Sequence, residues 1–212
     1  YLPLEENSGG QIKYSSYIID NLKDASAILI GCGLGVSEDI KKLVSEVILN
    51  AKCPVIIDAD GINAILDRID ILKNTEASII ITPHPGELAK LLNTSTKQVL
   101  KERVTLAAEF SEKYNVTVVS KGSGTVIATP KGKLYFSSVG NPGLSRGGSG
   151  DVLAGIIASF SAQGLSPENS ACAGVYLHGL AADIVADKMS MQGMLPSDII
   201  KELPLVFKAI DR

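Results

Sequence analysis

Four short, unbroken apolar runs constrain this chain more than any other feature. Ala27-Ile-Leu-Ile30, Val55-Ile-Ile-Asp58, Ser78-Ile-Ile-Ile-Thr82 and Val116-Thr-Val-Val-Ser120 lack the apolar–polar alternation of a half-exposed strand. They read as strands covered on both faces, as in parallel sheets. Helical patterns separate them. Residues 37–50 place Ile40, Leu43, Val44, Val47 and Ile48 at helical spacing, with Ser37 as N-cap. Residues 96–114 form a longer amphipathic helix, and helices at 149–162, 167–189 and 197–209 close the chain. Residues 125–128 and 134–137 read as a hairpin around Pro130-Lys-Gly132. Alternation in this order predicts an α/β fold: three α/β/α layers around a mainly parallel sheet. A length of 212 residues suits one such domain, with no linker or internal repeat to divide it.

Composition narrows the function classes. The chain has no tryptophan, is 5% aromatic and carries a net charge of −3. Nucleic acid and anionic membrane are therefore excluded as expected partners. No apolar run approaches the ~18 residues of a membrane span, and no signal peptide is visible. Cys32, Cys53 and Cys172 are odd in number and widely spaced. That pattern fits reduced thiols in the cytoplasm, not a disulfide frame or a zinc site.

In open parallel sheets, ligands bind beyond the carboxyl ends of the strands. Here those ends carry Gly31-Cys-Gly-Leu-Gly35, Asp58-Ala-Asp-Gly61, Thr82-Pro-His-Pro-Gly-Glu87 and Lys121-Gly-Ser-Gly-Thr125. All four loops are expected on one rim. The first tempts a dinucleotide-binding reading with Asp58 or Asp60 as ribose acid, but Val36 stands where the fingerprint needs Gly or Ala. Gly31, Gly33 and Gly35 then serve either a close approach to some ligand or a tight turn alone. His84, held between two prolines, is either a ligand contact or part of a rigid turn capping the helix at 87–92. His178 reads as a packed helical histidine. The 121–125 loop is not a Walker A motif. It is either a nest of backbone N–H groups with Lys121 as point charge, or a plain hairpin turn.

Asn141-Pro-Gly-Leu-Ser-Arg-Gly-Gly-Ser-Gly-Asp151 delivers one acid onto the start of a helix. Gly147, Gly148 and Gly150 let the backbone lie flat against a ligand. The helix-start N–H groups form an anion site. Asp151 either takes a proton from a hydroxyl attacking a phosphate there, or merely complements the helix dipole.

Together, Gly31-Cys-Gly-Leu-Gly35, Asp58-Ala-Asp-Gly-Ile-Asn63, Thr82-Pro-His-Pro-Gly-Glu-Leu88, Lys121-Gly-Ser-Gly-Thr125 and Asn141-Pro-Gly-x-x-x-Gly-Gly-Ser-Gly-Asp-Val-Leu-Ala-Gly155 resemble, in order, the ADP/ATP-dependent NAD(P)H-hydrate dehydratases. Leu177-His-Gly-Leu-Ala-Ala-Asp183 and Leu195-Pro-Ser-Asp-Ile-Ile200 look similar too. The resemblance spans nearly the whole chain and implies a ribokinase-like fold, with 1–212 as a single domain. That family has a further N-terminal segment with a glycine-rich loop, so the resemblance also implies that the domain is N-terminally incomplete. It usually has Pro at the place of Cys32, and commonly Ala-Thr at Ser145-Arg146, which puts the nucleotide contacts near Arg146 in question.

The implied substrates are NADH-hydrate and NADPH-hydrate, nicotinamide rings hydrated at C6, with ADP or ATP as co-substrate and Mg²⁺ as cofactor. Asp151 would accept the hydroxyl proton. Gly33, Gly35, His84 and Asp151 would contact the hydrated dinucleotide. Lys121, Gly122, Ser123, Gly124 and Thr125, with Gly147, Gly148 and Gly150, would hold the nucleotide and its transferring phosphoryl. The resemblance further implies a homo-oligomer, fused to or associated with an NAD(P)H-hydrate epimerase. The rival readings are a ribokinase-like small-molecule kinase of hydroxyethylthiazole or pyridoxine type that keeps its phosphorylated product, a nucleotide-binding module without catalysis, and, disfavoured by Val36, a dinucleotide-dependent oxidoreductase.

Overall fold

The computed structural model describes residues 3–7 and 9–210. Tyr1 and Ser8, both in the irregular opening stretch, lie outside the described residues. The predicted runs become strands β1 (Ile28–Ile30), β2 (Val55–Ile57), β3 (Ile79–Ile81) and β4 (Thr117–Ser120), and the hairpin becomes β5 (Val126–Ala128) and β6 (Leu134–Phe136). They form one six-stranded sheet in sequence order. β1 to β4 are parallel, while β4–β5 and β5–β6 pair antiparallel. The sheet is mainly parallel, as the run pattern predicts.

The helices are α1 (Ser16–Asp20), α2 (Glu38–Asn50), α3 (Asp60–Ala64), α4 (Pro85–Leu91), α5 (Thr96–Tyr114), α6 (Ser149–Ala162), α7 (Pro167–Met189) and α8 (Pro196–Ile210). Ser37 caps α2 by accepting from the Ile40 N–H, 3.2 Å away. Ser95 and Ser166 cap α5 and α7 in the same way. Every crossover between parallel strands runs the same way along the sheet, so same-handed connections put α2 and α5 on one face. Val55, Ile57, Ile79, Ile81 and Val118 pack there with Ile40, Val44, Ala107 and Phe110. The alternate residues Ile56, Ile80, Val119 and Ile127 face Leu153, Ile157, Ala171 and Val175 of α6 and α7. Each central strand is therefore buried on both sides, which is why its sequence is continuously apolar. α8 packs on α7 through Ile199 and Val206, with Met194 of the preceding turn in the same cluster.

Chain pairing continues one step past the strands. The Asp58 N–H donates to the Ile30 carbonyl, Thr82 to Ile57 and Lys121 to Pro83. This extension lines Asp58, Thr82 and Lys121 along the carboxyl rim.

Candidate active site

Asp58 lies at the centre of the rim, with only 1% of its surface exposed. Its Oδ1 accepts from the Thr82 hydroxyl at 2.6 Å and from the Lys121 ammonium at 2.6 Å. Its Oδ2 faces the Cys32 thiol at 3.8 Å. Donor atoms of Cys32, Asp58 and Asp151 lie within 4.8 Å of one another. The loops of Cys32, Thr82, Lys121 and Asp151, four segments far apart in sequence, thus meet around one buried carboxylate. Burial, reinforced by the charges of Asp58 and Asp151, pushes the Cys32 thiol up to about 12.

Asp151 stands exposed in the first turn of α6, whose N-cap Gly148 has a left-handed φ of 90°. Gly150 is wedged against the rim: a Cβ there would lie 3.2 Å from Lys121 Nζ and 3.8 Å from Asp58 Oδ2. Lys121 and Asp151 are therefore at the same end of the sheet. A Cβ at Gly147 would meet nothing within 4 Å. The preceding turn is anchored by Asp183, which accepts from the Gly140 N–H at 2.8 Å and the Asn141 amide at 2.9 Å.

Gly33, Gly35 and His84, the other sequence candidates, lie in the loops that follow β1 and β3. Gly33 and Gly35 have φ of 63° and 74° and open space where a Cβ would go. Gly35 donates to Asp60 Oδ2 at 2.8 Å. Gly31 differs, because its Cβ would lie 1.9 Å from the Asp58 carbonyl. Its close approach is to the neighbouring loop of the protein. His84 caps α4: Nδ1 accepts from the Gly86 and Glu87 N–H groups, while Glu87 accepts from the His84 N–H at 2.8 Å. That use of Nδ1 leaves the proton on Nε2, on a side chain 55% exposed. His178 is packed in α7 as expected. Burial holds it neutral, pulled down to about 4, and its Nε2 has no hydrogen-bond partner.

Lys121 is committed to Asp58, so the positive charge beside the 121–125 loop comes from elsewhere. Arg103 of α5 donates to the Ser123 carbonyl at 2.6 Å and the Gly124 carbonyl at 2.5 Å. Arg103 is a candidate that the sequence does not mark, and Asp58 has a different place from the one expected of it. On the sequence Asp58 reads only as a ribose acid. Arg103 sits in an amphipathic helix where arginine is ordinary, so no local signal marks it. Arg146, a departure from the usual pattern, turns away to the Gln192 carbonyl at 2.9 Å.

A mainly parallel sheet flanked by helices, whose carboxyl rim gathers an acid on a glycine-rich helix start, a strand-end glycine loop and a buried Lys–Asp pair, is an architecture of the ribokinase-like class. Residues 3–205 match the family model of NAD(P)H-hydrate dehydratase, and the chain belongs to that family. It is 36% identical over 194 residues to the bifunctional NAD(P)H-hydrate repair enzyme Nnr of Moorella thermoacetica, covering 92% of this chain and 37% of that protein. It is 36% identical over 181 residues to the ADP-dependent (S)-NAD(P)H-hydrate dehydratase of Neisseria meningitidis, covering 84% of this chain and 61% of that one. Among solved structures, the ADP/ATP-dependent NAD(P)H-hydrate dehydratase of Bacillus subtilis, co-crystallised with ATP/Mg²⁺, matches with a TM-score of 0.78 at 33% identity, over 87% of this chain and 64% of that one. The chain thus spans less than two thirds of the length of these relatives. Among the described residues, no helix is long and apolar enough to cross a membrane.

Proposed function

We propose that this chain dehydrates the hydrates of NADH and NADPH back to the intact cofactors at the expense of ADP or ATP. Residues 1–212 act as one ribokinase-like domain. The observation that carries the reading is the meeting of Asp151, the 121–125 loop and the open Gly33–Gly35 turn on one rim, in a chain of this family.

The chemistry follows from a poor leaving group. Hydroxide does not depart readily from C6 of the hydrated ring. Asp151 takes the proton of the C6 hydroxyl as its oxygen attacks the terminal phosphorus of the nucleotide. The bond from that phosphorus to the bridging oxygen breaks, releasing AMP from ADP or ADP from ATP. The C6 phosphate then leaves with its electron pair and C5 loses a proton, restoring the ring double bond. The N–H groups at the start of α6 and the glycines 147, 148 and 150 receive the phosphoryl oxygens. The exposed edge of the His84 ring, whose Nε2 lies 3.4 Å from Glu87 Oε1, and the Gly33–Gly35 turn would serve the dinucleotide side.

Asp58 Oδ2, the oxygen not bound to Lys121 or Thr82, is a hard oxygen donor of the kind Mg²⁺ takes, whereas the neighbouring Cys32 thiol is not. Mg²⁺ bound there with the nucleotide would supply charge neutralisation for the transfer. An NAD(P)H-hydrate epimerase activity, fused or associated, and assembly as a homo-oligomer in the cytoplasm complete the proposal.

The test is regeneration of 340-nm absorbance from NADH-hydrate or NADPH-hydrate, dependent on ADP or ATP with Mg²⁺ and matched by release of inorganic phosphate. Regeneration at equal rate without nucleotide would rule out the phosphorylation route. A stable phosphorylated product would favour a small-molecule kinase instead.

A further inference from the structure

We infer that Arg103 is a positioning residue that turns the 121–125 loop into a phosphate cradle, so that its guanidinium, and not the Lys121 ammonium, sets up the phosphate contacts of this loop. The inference rests on the nucleotide-dependent reading above and adds a residue to it.

Three successive carbonyls of the loop are occupied within the chain. Gly122 O accepts from the Thr125 hydroxyl at 3.2 Å. Ser123 O and Gly124 O both accept from Arg103 Nη2. A trans peptide is planar, with its C=O and its N–H on opposite sides. Holding these carbonyls therefore aims the N–H groups of Ser123, Gly124 and Thr125 the other way. None of the three donates to a partner among the described residues. Successive outward N–H groups in a glycine-containing turn make an anion-binding concavity, and Arg103 contributes its permanent charge behind it.

The surroundings are built for this contact. α5 is non-helical at Glu102, φ −124° and ψ 27°, one residue before Arg103. Gly122 has φ 151°, and a Cβ there would lie 2.2 Å from Arg103 Nη1. Only glycine lets the guanidinium reach the loop. The Lys121 ammonium is already bound to Asp58. A cavity of about 460 Å³ borders the same contact, lined by Leu100, Arg103, Val104, Gly122 and Ser123.

Calorimetry on the full chain, with Mg²⁺ present, tests this through ADP, ATP and adenosine. Arg103→Ala should weaken ADP and ATP by roughly ten- to a hundredfold, the usual weight of hydrogen bonds to a charged group, and leave adenosine binding unchanged. The nucleotide KM should rise while kcat at saturation is largely kept. Arg103→Lys, which keeps the charge but lacks the planar fork, should show the same defect and serves if the alanine variant does not fold. Equal ADP affinity in wild type and variants overturns the inference and leaves the proposed function standing. Equal loss of ADP and adenosine also overturns it, since that marks general collapse of the loop. Failure of the wild type to bind either nucleotide overturns the functional reading and this inference with it.

Discussion

Lys121 and Asp58, 63 positions apart, meet on the sheet rim as an ion pair with Nζ 2.6 Å from Oδ1. Asp58 is 1% exposed at its side chain and Lys121 19%. The pair ties the ends of β2 and β4 together, with the Thr82 hydroxyl from the β3 end as a third member.

A buried pair of this kind is costly to break from one side. Lys121→Met should lose about 3–5 kcal/mol of stability, because the Asp58 carboxylate is left without its cation. Adding Asp58→Asn should recover part of that loss. Denaturant melts of the two single variants and the double variant measure the coupling. Additive losses would show that the pair contributes nothing beyond its separate members.

Asp151→Asn separates base catalysis from helix capping. A positioned base contributes about 10²–10⁴ in rate, so turnover should fall by that factor while fold and nucleotide affinity persist. If Asp151 only complements the α6 dipole, the change costs about 0.3–1 kcal/mol of stability and the rate survives. Melting temperature and kcat on one variant decide; a retained kcat ends the catalytic assignment.

Cys32 should be a slow nucleophile at neutral pH. Burial and two neighbouring carboxylates hold its thiol at about 12, and only the thiolate attacks. Iodoacetamide labelling of Cys32, followed by peptide mapping, should climb about tenfold per pH unit beyond pH 9. Half-maximal labelling near the ordinary thiol value of about 8.5 would contradict the site electrostatics.

His178 makes stability fall on acidification. Its folded value is depressed to about 4 from 6.5, chiefly by burial. The unfolded chain therefore binds the proton first. The stabilising contribution is complete above about pH 6.5 and is lost as pH falls through 4, by about 3 kcal/mol in all. His178→Leu should remove that slope. Stability curves of wild type and variant that stay parallel between pH 7 and 4 would refute it.

Among the glycines of the first loop, Gly31→Ala should be the damaging substitution. Its Cβ would overlap the Asp58 carbonyl, whereas Gly33→Ala and Gly35→Ala meet open space. Those two should cost only about 1 kcal/mol each for their left-handed backbone. Thermal melts of the three variants rank them. A Gly31→Ala variant as stable as the Gly33→Ala variant would sink the argument.

The sequence by itself determined the sheet, its parallel strands and most helix limits, because these follow from local periodicity and capping. Ser37, Ser95 and Ser166 start their helices as their side chains require. It also marked which loops lie on the rim, since strand ends in a parallel sheet share one edge. The tertiary structure alone decided who pairs with whom there. Strand order brings Lys121 to Asp58, though either residue reads as free from its own neighbours. Arg103 reaches the glycine loop from a helix face whose pattern predicts only exposure. His84 spends Nδ1 on the α4 backbone. Burial and charge pairing act across the fold, between residues whose separation in sequence carries no signal of their contact.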